Sequence, residues 1–374
     1  MKIPLSNPDI TRREIKAVTD VLRTPHLSLG PKLEEFENKF ADYIGRKYAI
    51  AVNSGTSALH LCIRSFGIGV GNEVITSPFS FIASANCMLF EGAKPVFVDI
   101  REDTLNIDED KIEEKITAKT KAILPVHVFG YPCEMNKIKR VAKKHKLVVI
   151  EDSCEAIGAE IGQKMVGTFG DASVFAFYPN KQMTTGEGGM LLSDDIDIYH
   201  LAKSLRNQGR DEGAGWHAHS RLGYNYRLSD INCALGIVQL SRIEEMLKKR
   251  EQASVLYDKY LSDCPDIILP SLKDKKVKRS WFVYVIRLNE EFSEEQRNKI
   301  ITLLRGKGIG CSAYFPPIHL QSFYVDEFSY KAGVFPITEA VAARTIALPF
   351  FNLLTVRQIE HIAESLKNSI RKVK

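Results

Sequence analysis

Four short stretches of this sequence combine residue types and spacings that could do chemistry. Asn53-Ser54-Gly55-Thr56-Ser57-Ala58-Leu59 follows one apolar run and opens an amphipathic one. Gly55 permits a tight turn, and the amides and hydroxyls after it point at whatever sits at a helix start. Exposed N–H groups and the helix dipole favour a phosphate there; an ordinary N-cap is the competing reading. Glu151-Asp152-Ser153-Cys154-Glu155 ends the most apolar run. A carboxylate in that position is costly unless something positive meets it. The protonated nitrogen of a pyridine ring would do so, and a metal site or a helix cap are the alternatives. Strand alternation sends Glu151 and Asp152 to opposite faces, so only one of them meets such a ring. Phe175 to Gly189 runs from an apolar strand through Lys181 into Gly186-Glu187-Gly188-Gly189 and another strand. A lysine held by that turn can be desolvated, which lowers its pKa and makes the amine a nucleophile, although solvated loop lysines look the same locally. Phe79-Ser80-Phe81 places aromatics after a further strand, where they either cover a flat ligand or pack in the core.

Together the four supply a phosphate cradle, a partner for a flat ring, a carboxylate for a ring nitrogen and a Schiff-base lysine. Those are the parts needed to hold pyridoxal 5'-phosphate (PLP), a cofactor that carries the hard chemistry while the protein fixes its position and electronics. Two other motifs do not fit their usual readings. Gly67-Ile68-Gly69-Val70-Gly71 follows a helical pattern and precedes a strand, the reverse of a dinucleotide fingerprint. His217-Ala218-His219 has no cysteine or acidic partner at ligand spacing, so no metal is expected and a polar loop over a site is the simpler reading.

The elements that must position these residues alternate. Apolar, β-branched runs at 48–52, 74–76, 95–98, 122–126 and 147–150 are separated by amphipathic stretches at 56–66, 81–90 and 134–145. That order predicts a mostly parallel α/β sheet covered on both faces, with ligands gathered outside the carboxyl ends of the strands. Leu228 to Leu261 reads as one long helix or two joined ones, capped by Ser229 and Asp230. Beyond Pro265 come a strand at 280–287, a capped helix at 293–307 and a terminal helix at 355–369, a smaller α+β unit. The division predicted is a large domain at 1–250 and a small one at 251–374.

Bulk properties narrow the function classes. The chain has 374 residues, 44% hydrophobic, with 51 basic against 46 acidic side chains and a net charge of +5. That balance does not suggest nucleic-acid binding, and the basic stretch 273–279 reads as a solvated loop. The N-terminal residues lack a signal-peptide pattern, and no apolar run reaches the ~18–20 residues of a membrane span. Seven scattered cysteines with no C-x-x-C pair favour free thiols in a reducing compartment, hence a cytoplasmic location.

With these residues in view, the sequence resembles the DegT-type nucleotide-sugar aminotransferases, PLP-dependent enzymes of fold type I in the aspartate aminotransferase superfamily. The resemblance spans essentially the whole chain: Ile3-Pro4-Leu5-Ser6, Leu29-Gly30-Pro31, Phe36-Glu37, the Asn53–Leu59 turn, Glu151-Asp152, Lys181 with Gly186–Gly189, Gly223 to Asp230, Pro317-Ile318-His319 and Leu348-Pro349. It implies a seven-stranded, mostly parallel sheet sandwiched by helices, with a smaller C-terminal α+β domain. Lys181 would bond the cofactor covalently and Asp152 would pair with its pyridine nitrogen. Glu155 would lie by the ring's oxygen side and Phe81 would stack on the ring. Gly55, Thr56 and Ser57 would hold the phosphate. Asn225 would reach the phosphate of a neighbouring subunit, making a homodimer with active sites at the interface. Tyr314 and His319 resemble positions facing the sugar.

Three departures from the family pattern bear on the site. Ala176 replaces a serine that contacts the phosphate, Glu155 stands where His or Gln is frequent, and Pro25-His26 replaces a Gly-Trp pair near the substrate entrance. The reaction implied is ping-pong transfer of an amino group from an amino acid, by family analogy L-glutamate, to a nucleotide-linked keto-sugar, for polysaccharide or secondary-metabolite biosynthesis. Arg210 and Arg221, in the basic 206–221 loop, are candidates to receive the nucleotide diphosphate. A keto-cyclitol acceptor and a non-catalytic PLP-fold sensor are the rival readings. Sugar 3-dehydratase relatives carry His at the position of Lys181, and a cysteine desulfurase needs a mobile reactive cysteine that this sequence does not evidently offer.

Overall fold

The apolar runs build one seven-stranded sheet: β1 (Tyr48–Val52), β2 (Glu73–Thr76), β3 (Lys94–Phe97), β4 (Thr120–Ile123), β5 (Val148–Asp152), β6 (Ala172–Ala176) and β7 (Gly189–Ser193), in spatial order β1-β7-β6-β5-β4-β2-β3. The computed structural model describes residues 2–213, 215, 217–270, 274 and 276–374. Met1 of the N-terminal segment, residues 214 and 216 of the 206–221 loop, and Lys273 and Lys275 of the basic stretch lie outside the described residues. Strands β3, β2, β4, β5 and β6 are mutually parallel, and β7 runs antiparallel to both its neighbours. Both faces of the sheet are apolar, as the unbroken hydrophobic strands require. In β1, Ile50 and Val52 enter one core cluster while Ala49 and Ala51 enter another.

Helices α1 (Arg12–Leu22) and α2 (Pro31–Ile44) precede the sheet, and α3 (Gly55–Ser65), α4 (Ala83–Leu89), α5 (Met135–His145) and α6 (Ile196–Arg206) follow β1, β2, β4 and β7. The 228–261 stretch forms two helices, α7 (Asp230–Ser241) and α8 (Ile243–Leu261). Ser229 caps α7 by accepting from the Asn232 amide at 3.2 Å. Asp230, read as a second cap of the same helix, serves another: its carboxylate accepts from the amides of Gly30 and Lys32 at 2.8 and 2.9 Å, at the start of α2. It thereby ties α2 to α7.

A second, antiparallel sheet holds β8 (Ile267–Ile268), β9 (Tyr284–Leu288) and β10 (Thr345–Leu348). Around it lie α9 (Glu294–Gly306) and α12 (Val356–Val373), each opened by a capping box, with α10 (Ser322–Phe328) and α11 (Pro336–Arg344) between them in the chain. Its core joins Tyr257 and Leu261 of α8 to Tyr284, Ile300 and Leu366, and also takes in Ile3. The strand expected to begin at Ser280 pairs only from Tyr284, because Ser280 and Phe282 are engaged by the first unit. Among the described residues no helix is long and apolar enough to cross a membrane.

Candidate active site

Four strands deliver the chemical residues to one end of the large sheet. The turn from β1 into α3 carries Gly55 and Thr56, the segment from β2 into α4 carries Phe81 and Ser84, β5 ends in Asp152, and the connection from β6 to β7 carries Lys181. All of these line one cavity of about 660 Å³, together with Glu155, Ala176, Tyr178, Phe282 and Tyr314.

The two adjacent carboxylates at the end of β5 have separate fates. Glu151 is fully buried and accepts from the amides of Gly167 (2.9 Å), Phe169 (2.7 Å) and Gly170 (2.6 Å), with His127 Nε2 at 3.3 Å. Burial alone would push its carboxyl up, but His127 and these amides hold it below the ordinary value. Glu151 is therefore a structural anion whose bonding capacity is filled from its own side of the sheet. Asp152 faces the cavity. Its Oδ2 accepts from Ser84 Oγ at 2.7 Å and its Oδ1 from the Cys154 amide at 3.1 Å, and among the described residues no Lys, Arg or His pairs with it.

Lys181 Nζ stands 3.5 Å from Glu155 Oε1 and 3.9 Å from the centroid of the Phe282 ring. The other oxygen of Glu155 accepts from the Phe129 amide at 2.8 Å. Burial pushes the Glu155 carboxyl above its usual range, against the pull of Lys181. At the start of α3, Ser54 caps the helix by accepting from the Ser57 amide at 3.0 Å, a contact worth about 1 kcal/mol. The amides of Gly55 and Thr56 make no hydrogen bond among the described residues. A Cβ at position 55 would lie 2.7 Å from Ala176 Cβ and 3.1 Å from Cys154 Sγ, so only glycine keeps this corner open.

These observations fit PLP. Two helix N-terminal amides without a partner among the described residues offer a phosphate cradle, a buried carboxylate with no cation beside it among those residues suits a cationic ring nitrogen, and a lysine amine lines the same space. The buried Oδ1 of Asn180, which lines the same cavity, has no hydrogen-bond partner among the described residues. The described residues contain no group of three or more His, Cys, Asp or Glu placed to hold a metal.

Not every residue singled out in the sequence reaches this cavity. Ser57 turns inward: its hydroxyl donates to Asn53 Oδ1 at 2.7 Å, leaving nothing for a phosphate. His319 is fully buried against Phe335, with Nε2 at 3.1 Å from Glu339, and does not line the cavity; burial lowers its pKa below the usual value. This corrects the expectation that it faces the sugar. Arg221 pairs with Asp211 at 2.7 Å, and Arg210 lines a separate recess with Glu34, Glu37 and Asn207, so neither enters the Lys181 cavity of its own protomer. Asn225 is exposed and likewise outside it.

Sequence reasoning missed Ser84 and Phe282. Ser84 lies three residues beyond Phe81, in the first turn of α4, and its partnership with Asp152 sets it apart. Phe282 stands 101 positions after Lys181 and looked like one more strand residue.

The DegT/DnrJ/EryC1/StrS aminotransferase family matches residues 8–367. GDP-perosamine synthase of Escherichia coli O157:H7 is 36% identical over 367 residues, covering 97% of each chain. Among solved structures, Helicobacter pylori PseC, an aminotransferase involved in the biosynthesis of pseudoaminic acid, superposes with a TM-score of 0.94 at 33% identity, and Spr1654 from Streptococcus pneumoniae in its PLP form with 0.95 at 30%, each covering 100% of both chains.

Proposed function

Because the chain belongs to the DegT/DnrJ/EryC1/StrS aminotransferase family, we propose that it is a PLP-dependent enzyme moving an amino group from L-glutamate to a nucleotide-linked keto-sugar. The observation that carries the reading is the meeting of Lys181, Asp152 and the α3 N-terminus in one cavity. The cofactor supplies an electron sink for the carbon that loses its proton. With PLP bound, Lys181 Nζ would be the base that takes or returns a proton at the amino-acid carbon. Asp152 would hold a proton on the ring nitrogen, Glu155 would lie by the ring's oxygen side, and the exposed ring of Phe81 would cover its flat face. The amides of Gly55 and Thr56 and the Thr56 hydroxyl bind the phosphate. Ala176 offers no hydroxyl there, and we assign the missing contact to Tyr178, which lines the cavity, or to an ordered water.

The reading includes a homodimer. Asn225 lies outside its own protomer's cavity, and we assign it to the phosphate of the partner's site. Arg210 and Arg221, outside the same cavity, are assigned to a nucleotide diphosphate bound across the interface, and Tyr314 to the sugar. Incubation with isotope-labelled L-glutamate and a panel of GDP-, UDP- and dTDP-linked keto-sugars tests the whole. Labelled amino-sugar from at least one member is expected. Transfer to a keto-cyclitol alone would replace the acceptor, and no transfer with a bound but inert cofactor would replace the enzyme by a sensor.

A further inference from the structure

We propose that the face of the Phe282 ring is the resting place of the Lys181 amine whenever that amine is not bonded to the cofactor, with Arg250 as the residue that positions ring and lysine together. Nζ lies 3.9 Å from the ring centroid, well inside the ~6 Å over which an ammonium is attracted to an aromatic face. Glu155 Oε1 at 3.5 Å adds attraction without a short hydrogen bond. The site is largely closed to water, since the Lys181 side chain is only 13% exposed and Phe282 is buried.

The pairing is built from behind. Arg250, buried on α8, donates to the Phe282 carbonyl at 2.9 Å through Nη1 and to the Lys181 carbonyl at 3.1 Å through Nη2. Among the described residues no carboxylate forms an ion pair with this guanidinium. A buried Arg without a counter-ion is costly, and burial draws its pKa down to about 10. Its strongest contacts go instead to the backbones of the very two residues whose side chains meet. A second tie runs in parallel, as Gln182 Nε2 donates to Ser280 Oγ at 2.9 Å. Two segments 101 positions apart are thus fixed in register at the point where the amine meets the ring.

The titratable groups on the walls of the cavity that holds the amine come from several segments. Glu155, Asp152 and Cys154 lie on the segment that ends β5, Tyr178 and Glu187 on the lysine's own connection, and Tyr314 on the loop after α9; Arg250 stands behind. Glu155 is committed to the cofactor's oxygen side in the function proposed above, so the ring is the partner that stays free for the amine throughout the cycle. The inference rests on that reading of Lys181.

The test is competitive acetylation of Lys181 at one fixed pH, read by peptide mass, in the 374-residue chain loaded with pyridoxamine phosphate, which leaves the lysine amine free. Replacing Phe282 with trifluorophenylalanine keeps the shape and removes the negative face of the ring; Phe282→Leu removes it by ordinary substitution, and Phe282→Tyr retains it. The labelling rate of Lys181 is expected to rise about three- to tenfold in the fluorinated and Leu variants, as the amine loses the ring that holds it, and to stay put in Phe282→Tyr. A rate unmoved by fluorination, in a protein that folds and binds pyridoxamine phosphate like the parent, would overturn the proposal. That result would leave the assignment of Lys181 as the cofactor lysine intact, whereas a borohydride adduct found on a different lysine would remove the assignment without touching the labelling rate.

Discussion

Asp152→Asn removes the charge that faces the cavity while keeping the side chain's size. The amide oxygen can accept from the Cys154 N–H, and the amide nitrogen can donate to the Ser84 hydroxyl, which is able to accept as well as donate. Both present contacts therefore survive in altered form, and folding stability changes by less than about 1 kcal/mol. What is lost is the charge-assisted bond to a protonated ring nitrogen, worth roughly 1.5–3 kcal/mol, or about a 10- to 150-fold weaker affinity for PLP. Equilibrium dialysis of apoprotein against PLP measures this directly. Glu151→Gln is the control: it breaks a fully buried set of four hydrogen bonds on the other face, so it lowers the melting temperature and leaves cofactor affinity in the folded protein nearly unchanged. The reasoning is refuted if Asp152→Asn binds PLP within about threefold of the parent, or if Glu151→Gln is the variant that loses the cofactor.

Three further outcomes follow from the same geometry. Phe81 is 60% exposed, so Phe81→Ala leaves thermal stability almost unchanged while weakening PLP binding by the ~0.5–1.5 kcal/mol of a stacked pair, seen as about a 3- to 10-fold rise in Kd. Gly55→Ala drives a methyl group against Ala176 and Cys154 and lowers stability by about 1–3 kcal/mol in urea unfolding, with loss of phosphate affinity. Mixing Lys181→Ala and Asn225→Ala proteins restores a native site only if each site draws on both chains. Activity is expected to reappear in the hybrid dimer beyond that of either parent, and a mixture no better than the Asn225→Ala protein alone would place Asn225 outside the partner's site.

The sequence and the structure agree where local physics dominates. The strands at 48–52 and 147–150 carry enough β-branched and apolar residues to be read without tertiary information, and ligands at the carboxyl ends of such a sheet follow from its topology. The separation of Glu151 from Asp152 was likewise legible, since alternation is a property of the strand itself. His319 was not, because its motif gives no sign that Phe335 and Glu339 enclose it. Ser57 shows the same limit on a smaller scale: a hydroxyl at a helix start can serve a ligand or its own turn, and Asn53 claims it here. Phe282 was hidden by distance along the chain, and the Arg250 bridge between two carbonyls, with the Gln182–Ser280 bond beside it, brings it next to Lys181. Position 280 was expected to begin a strand, but Gln182 and the Ile157 carbonyl hold the Ser280 side chain, at 2.9 and 2.6 Å, where the first unit needs it.

The most direct measurement is borohydride reduction of the protein incubated with PLP, followed by peptide mapping of the pyridoxyl adduct. A single modified peptide carrying the label on Lys181 is the result required by a lysine amine enclosed with Asp152 and the α3 amides. A label on any other lysine, or no label at all under conditions where PLP remains bound, would contradict it.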